Sequence, residues 1–517
     1  METRREGAAP EPGISAALGR RCWLTYGAGL AYLALGLWIA SYLGTWTDEE
    51  YTLATTAHGI GNALSRARTY ELQAPRYVGL LAAGRELSGS VWFARLFSLL
   101  CAGAFFFVLV RIGARIAPQR DPLPFAMVAA LNPFVVIAAL EIRLYALALL
   151  ISGLLWLAFD AGYLNGSSAR ARLWFVLLAI CGVYVQYFLA FMLIGFGCAL
   201  LVLGRYRTLA VFVAHASIVA LAAVPLGIVA HAQVGGYETA EPPRGALVRL
   251  TAVHPFLDFL FPYNEGWSHL GFRRSVYDAM ALLCGFAVIL ARPPISRRLL
   301  ALFAAAATIQ LCYVALTGLL GLELNGRYFV ALFVPVAAAA YGLYDAVRRG
   351  PRPAFALAFA PVAALAILGS IARYGVPAQS GDWTRVAPYL EQSVGADAVI
   401  AIYPPDALPA FERQYRGKSP VVPFPRPASQ LQYSVREVSV ASTAEARAAF
   451  TKVARYPVIW FVDAEDCQAD LPHYGCQYLH DVLNADYRTL ERRSFFGSTV
   501  YELSRPGNTA PQAKGKR

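Results

Sequence analysis

The run Cys22–Gly44, CWLTYGAGLAYLALGLWIASYLG, followed at once by Thr45-Trp46-Thr47-Asp48-Glu49-Glu50-Tyr51, decides the fold. A helix needs roughly 20 apolar residues to cross a bilayer core, and this run is long enough. The acids behind it therefore stand at the mouth of a first membrane span. Ionisable groups at that depth are costly unless paired or watered, which makes them functional candidates by default. The plainer alternative is that they only mark the headgroup region. Residues 1–21 are charged and lead into the span without a small-residue cleavage site, as in a retained signal anchor.

The rest of the composition agrees with a polytopic α-helical membrane protein. Of 517 residues, 57% are hydrophobic and 15% charged, and the mean hydropathy is +0.46. Soluble domains carry about 25% charged residues. The net charge of +12 does not indicate a nucleic-acid groove. From Ile371 onward 17 basic residues face 15 acidic ones, so an excess of +10 sits in the membrane half, where it reports topology.

Long apolar runs predict about eleven spans, at 22–44, 91–112, 122–140, 143–160, 173–187, 188–203, 209–231, 276–291, 299–320, 328–347 and 354–371. With residues 1–21 cytoplasmic, alternate turns should be rich in arginine. They are, at Arg111/Arg115/Arg120, Arg170/Arg172, Arg205/Arg207, Arg292/Arg297/Arg298 and Arg348/Arg349/Arg352. The two long outer loops are 45–90 and 232–275; within the first, 75–87 reads as an interfacial helix. The aromatic stretch Val253–His269 of the second suits either an acceptor cover or an interfacial belt.

A change of character follows the last span. Apolar, β-type runs at Ala398–Tyr403, Pro457–Asp463 and Ser498–Leu503 alternate with polar helical stretches and a Pro-rich segment, Pro420–Pro427. They predict an extracytoplasmic α/β domain over 372–505, with a disordered tail at 506–517. Cys467 and Cys476 stand apart from the six cysteines in apolar runs. In an oxidising compartment they are expected to form a short-loop disulfide.

This topology brings Asp48, Glu141, Arg143, Gln186 and the Glu323–Arg327 turn to one face. A sugar linked through phosphate to a membrane lipid needs no general acid, because its leaving group is already a stable anion. It needs a cation to hold that phosphate, which suits a guanidinium fork, and a base for the acceptor hydroxyl. Asp48 as base, Glu49 or Glu141 as its partner, and Arg327 or Arg143 as the clamp fill those roles. The structural alternatives are an ion pair of Glu141 with Arg143 or Arg95, and an interfacial anchor at Arg327.

Trp46-Thr47-Asp48-Glu49-Glu50-Tyr51 resembles the Asp-Glu motif of integral-membrane C-type glycosyltransferases, in particular protein mannosyltransferases and lipid A aminoarabinose transferases. Gln73-Ala74-Pro75-Arg76-Tyr77 is similar to that family's first-loop segment, with Ala and Arg substituted. Asn132-Pro133 with Glu141-Ile142-Arg143-Leu144-Tyr145 resembles its acidic-x-Arg-x-Tyr element. Arg327-Tyr328 with Pro335 resembles its Arg-Tyr segment. The resemblance implies a GT-C-like fold and inverting transfer of a monosaccharide from a polyprenyl-phosphate donor, with Asp48 as base. The acceptor would be a lipid, glycan or protein. It further implies that Arg143, Tyr145, Arg327, Tyr328, Gln73 and Arg76 line the substrate site. Gln186-Tyr187 replaces a His-Tyr common in relatives. No cofactor and no dedicated metal cage are expected, although some such enzymes use a divalent cation. The competing class is a flippase for a lipid-linked saccharide, which should carry ionisable groups at mid-membrane; here the acids are expected at one end.

Overall fold

The computed structural model describes residues 12–71, 73–234, 273–320, 326–364, 379–428, 434–464 and 474–505. It is a polytopic helical bundle capped by a small α/β domain. Helices α1 (Pro12–Ala40), α2 (Thr47–Thr55), α3 (Gly59–Thr69), α4 (Arg76–Arg85) and α5 (Val91–Ile116) come first. Then follow α6 (Leu123–Ala130), α7 (Pro133–Leu140), α8 (Tyr145–Phe159), α9 (Ala169–Val185), α10 (Ala190–Val202) and α11 (Tyr206–Val234). Helices Arg273–Ala291, Arg297–Leu320 and Val330–Arg349 complete the described bundle apart from the short apolar segment Pro353–Ala364.

Each expected span meets a helix, but they are not equal. Six described helices are long and apolar enough to cross a membrane, and α6 with α7 makes a seventh, bent by 63°. The bend has a local cause: Pro133 brings no N–H, and the Asn132 side chain accepts the Phe134 N–H at 2.9 Å to start a new helix. Tyr187–Val202, Leu282–Ala291 and Pro353–Ala364 are shorter apolar helices, and α9 has 17 residues. The expected interfacial helix is α4, whose Tyr77, Val78, Leu81 and Ala82 are buried within the bundle. α8 forms the centre, whereas α1 and α11 expose most of their apolar surface, as lipid-facing helices do. Close packing without a hydrophobic drive needs small residues. At Gly195 of α10 a Cβ would lie 2.9 Å from the Ala305 carbonyl.

α5, α8 and the helix after Arg327 all run away from the acidic stretch, so their far ends share the opposite side. One expectation fails there: the buried acids are not confined to one end. Asp160 is fully buried on a π-helical turn, Asp160–Leu164, and accepts from Arg115 at 2.7 Å and Arg298 at 3.2 Å. Asp345 pairs with Arg120 at 3.1 Å and Arg349 at 2.9 Å. These acids sit among the arginines of the basic turns and are neutralised by them.

In the C-terminal domain, β1 (Ala398–Tyr403), β2 (Val421–Pro423), β3 (Val458–Ala464), β4 (Arg488–Phe495) and β5 (Ser498–Ser504) form one sheet in the order β2-β1-β3-β5-β4. β1 is parallel to β2 and β3, while β5 is antiparallel to both β3 and β4. Alternate residues serve opposite faces. Val399, Ala401 and Tyr403 meet Phe450 and Leu479, whereas Ile400 and Ile402 meet Trp383, Leu390 and Phe411. The three apolar runs expected to be strands are β1, β3 and β5; β2 and β4 were not anticipated. The 506–517 tail, the Val253–His269 stretch, Glu323–Asn325 and Cys467 lie outside the described residues. Cys476 is disulfide-bonded.

The bundle and the acidic stretch are joined at Arg95 of α5. Its guanidinium donates to the carbonyls of Ala40 at 3.2 Å and Leu43 at 2.6 Å, closing the end of α1, and pairs with Glu49 at 3.1 Å. Both side chains are buried. Such a pair adds modest net stability, but removing one partner leaves a buried charge and costs about 3–5 kcal/mol. Arg95→Met should therefore lower the unfolding free energy of the purified protein by about that amount. A loss well below about 1 kcal/mol in denaturant unfolding would count against the pair as an organising contact.

Candidate active site

Three consecutive acids in the first turn of α2 go to three different places, because successive helical residues are rotated by about 100°. Asp48 turns toward Arg327 (Oδ2 to guanidinium 2.8 Å) and Arg143 (3.5 Å). Glu49 points into the bundle, where it accepts from Arg95 and from the Ile142 N–H at 2.8 Å. Glu50 leaves toward the C-terminal domain and is held by both arms of Arg413. The expectation that Glu49 works on substrate beside Asp48 therefore changes. Its carboxylate is wholly buried and taken up by partners, so it positions α2 against the 141–144 turn.

Arg143 ties the 141–144 turn to α2 and to the loop after α3. It donates to the Asp48 carbonyl at 3.1 Å, the Thr52 hydroxyl at 3.0 Å and Glu71 at 3.1 Å. Glu71, in the loop after α3, was not singled out from the sequence. It lies two residues before the Gln73–Tyr77 segment, outside it, and its partner Arg143 is 72 residues on. Arg327 lies over the Trp46 ring at 4.7 Å and over Tyr145 at 6.0 Å, a cation–π arrangement that fixes its plane.

The carboxyls differ in their electrostatics. Burial alone would raise the Asp48 pKa, but the carboxylate keeps 22% of its surface exposed. The charges of Arg327 and Arg143 outweigh burial and hold it below its ordinary value. Glu141, at the end of α7, has the opposite balance. Burial pushes it up to about 7 against the pull of Arg327, with the Glu49 and Asp48 charges adding to the rise. Its Oε2 atom has no hydrogen-bond partner among the described residues. A buried carboxyl poised near neutrality is suited to exchanging or sharing a proton.

Other expected residues are placed differently. Tyr145 is buried beneath Arg327. Tyr328 packs on Phe188 and its carbonyl accepts the Tyr313 hydroxyl at 2.7 Å. The Gln73 carbonyl accepts from Gln233 at 3.5 Å, in a knot where the Tyr187 hydroxyl also donates to Gln233 at 2.8 Å. Arg76 is exposed at the start of α4 and makes no contact with Asp48, Glu141 or Arg327 among those described. Substrate-binding roles for Gln73 and Arg76 gain no support from this geometry. Among the described residues no three His, Cys, Asp or Glu side chains converge as metal ligands.

The chain is similar to ArnT. The crystal structure of ArnT from Cupriavidus metallidurans bound to undecaprenyl phosphate matches with 14% identity and a TM-score of 0.46, covering 95% of this chain and 99% of that one. The apo structure of the same protein matches with 14% identity and a TM-score of 0.48, covering 94% and 98%. No family model and no curated protein matches the chain. At this identity the likeness assigns a role to no residue.

Because the folded-state pKa of Glu141 is raised from 4.5 to about 7, its proton is bound more tightly in the folded than in the unfolded chain. That contribution is fully present below pH 4.5 and is lost as pH rises through about 7, on the order of 3 kcal/mol in all. Glu141→Gln should flatten this part of the melting-temperature profile. An identical slope in wild type and variant would show that Glu141 does not titrate there.

Proposed function

We propose that the protein is an inverting glycosyltransferase that moves a monosaccharide from a polyprenyl-phosphate donor to an acceptor hydroxyl. The positive-inside pattern supports a site on the outer face of the cytoplasmic membrane. The observation that carries the reading is the meeting of Asp48, Arg143, Arg327 and an unpaired Glu141 carboxyl atom at one end of an apolar bundle.

Arg327 is the pivot of the chemistry. In the resting arrangement it is paired with Asp48, which makes that carboxylate a weak base. The donor phosphodiester offers Arg327 a singly charged, bidentate alternative, and a second charge develops on it as the bond to the sugar breaks. As Arg327 turns to it, Asp48 loses its main counter-charge and its pKa rises toward that of a useful base. Asp48 then takes the proton of the acceptor hydroxyl. The acceptor oxygen forms its bond to the anomeric carbon on the face opposite the phosphate. The carbon–oxygen bond to phosphate breaks, and its electron pair leaves with the polyprenyl phosphate, held by Arg327 and Arg143. Glu141 shares its proton with the sugar or acceptor and fixes its orientation. A short-loop disulfide between Cys467 and Cys476 would hold the loop before the Cys476–Asp486 helix.

The test uses a panel of radiolabelled undecaprenyl-phosphate sugars with membrane extract as acceptor source, and undecaprenyl phosphate alone as binding probe. Asp48→Asn should lower transfer by about 100-fold or more. It should bind the probe as tightly as wild type or tighter, since Arg327 loses its competitor. Arg327→Ala should weaken probe binding by about tenfold or more. Transfer that survives Asp48→Asn would reject the base assignment, and unchanged probe affinity in Arg327→Ala would reject the clamp.

A further inference from the structure

The helix that carries Asp48 is held from above by the C-terminal domain. The segment from Pro405 to Gln414, a 3₁₀ turn running into a helix, touches α2 at two successive residues. At its far end, Arg413 takes Glu50 in a two-pronged ion pair. At its near end, Asp406 is 4% exposed, close to the Tyr51 hydroxyl, and near enough to Asp48 for the two charges to repel. The Asp406 Oδ1 atom has no hydrogen-bond partner among the described residues. The approach is tight elsewhere too, since a Cβ at Gly44 would come within 2.9 Å of Thr384. Fold geometry favours the same place. Asp406 follows the carboxyl end of β1, which lies between β2 and β3. This is where the chain reverses its direction of winding and open parallel sheets hold their functional groups.

We infer that the C-terminal domain is a working part of the catalytic centre, with Arg413 and Asp406 as positioning residues for Asp48. The inference rests on the transferase reading above. Arg413 fixes the rotation of α2 through Glu50, so that Asp48 rather than its neighbours faces Arg327. Asp406, buried at the Tyr51 hydroxyl, seats α2 from the domain side three residues after Asp48. The groups that bear on this are known. Asp406 meets Tyr51 of α2, Tyr70 after α3, and Asp48. Asp48 in turn meets Arg143 and Arg327, with Glu71 and Glu141 close by. Neither Arg413 nor Asp406 touches the reacting atoms on this account.

The experiment uses the full chain in nanodiscs, with Arg413→Glu, Glu50→Arg, the double exchange, and Asp406→Asn. Amide exchange across residues 47–55 reports docking without reference to activity. Arg413→Glu should speed that exchange and lower kcat for the active undecaprenyl-phosphate sugar by about tenfold, with KM nearly unchanged. The double exchange should recover both to within about threefold. Asp406→Asn should also speed exchange across 47–55, by less than Arg413→Glu, because a neutral amide is a weaker acceptor for the Tyr51 hydroxyl than a carboxylate. Unchanged exchange in Arg413→Glu or in Asp406→Asn, or failure of the double exchange to recover it, would overturn the inference. A wild-type protein that turns over no donor would instead overturn the transferase reading, and the exchange data would still decide the docking.

Discussion

The structure depends on one buried ion pair, Arg95 with Glu49. A guanidinium and a carboxylate inside an apolar bundle are costly unless hydrogen-bond partners take up their charge, and here only the Arg95 Nε is left without one among the described residues. The partners of this pair include the last carbonyls of α1 and the Ile142 N–H. That requirement brings the end of the first span, the start of α5, and the 141–144 turn to a common point. With Glu49 held from the bundle and Glu50 held by Arg413, α2 is gripped on two sides, and Asp48 is left facing Arg327. The acid taken up by structural partners thus helps aim the one proposed to do chemistry.

A second constraint is the sharing of Arg327. Its guanidinium carbon stands 4.7 Å over the Trp46 ring, so the aromatic face holds it as well as the carboxylate does. A guanidinium held this way can exchange one anion for another with little rearrangement. On the proposed mechanism, the resting pair with Asp48 suppresses a free base until the donor phosphate takes Arg327 away. Glu141 adds a carboxyl whose burial keeps it near neutrality. Two acids with pKa values driven apart by their surroundings are what a proton-transfer site requires.

Much of this was legible in the sequence. The spans came from the length of the apolar runs, and the common face of Asp48, Glu141, Arg143 and Arg327 from the alternation of basic turns. The three strands with β-branched, apolar residues were readable for the same reason. β4 was not, because Arg488–Phe495 is polar and solvent-exposed. β2 was hidden as a three-residue edge strand in a Pro-rich stretch. The roles of Arg95, Glu71, Arg413 and Asp406 were out of reach, since each depends on a partner far away in the chain. Adjacent acids on a helix point different ways, so at most one of Glu49 and Glu50 could face Asp48, but which of them turns inward depends on Arg95, a partner 46 residues on.

The claim on which the account turns is that Asp48 and Arg327, from opposite ends of the membrane half, touch in the resting protein. A double-mutant cycle in melting temperature, with Asp48→Asn, Arg327→Gln and both together, measures that contact directly. The account predicts that the two effects are strongly non-additive, with a coupling of about 1 kcal/mol or more. Effects that simply add would mean that the two side chains do not meet, and the proposed site would not exist.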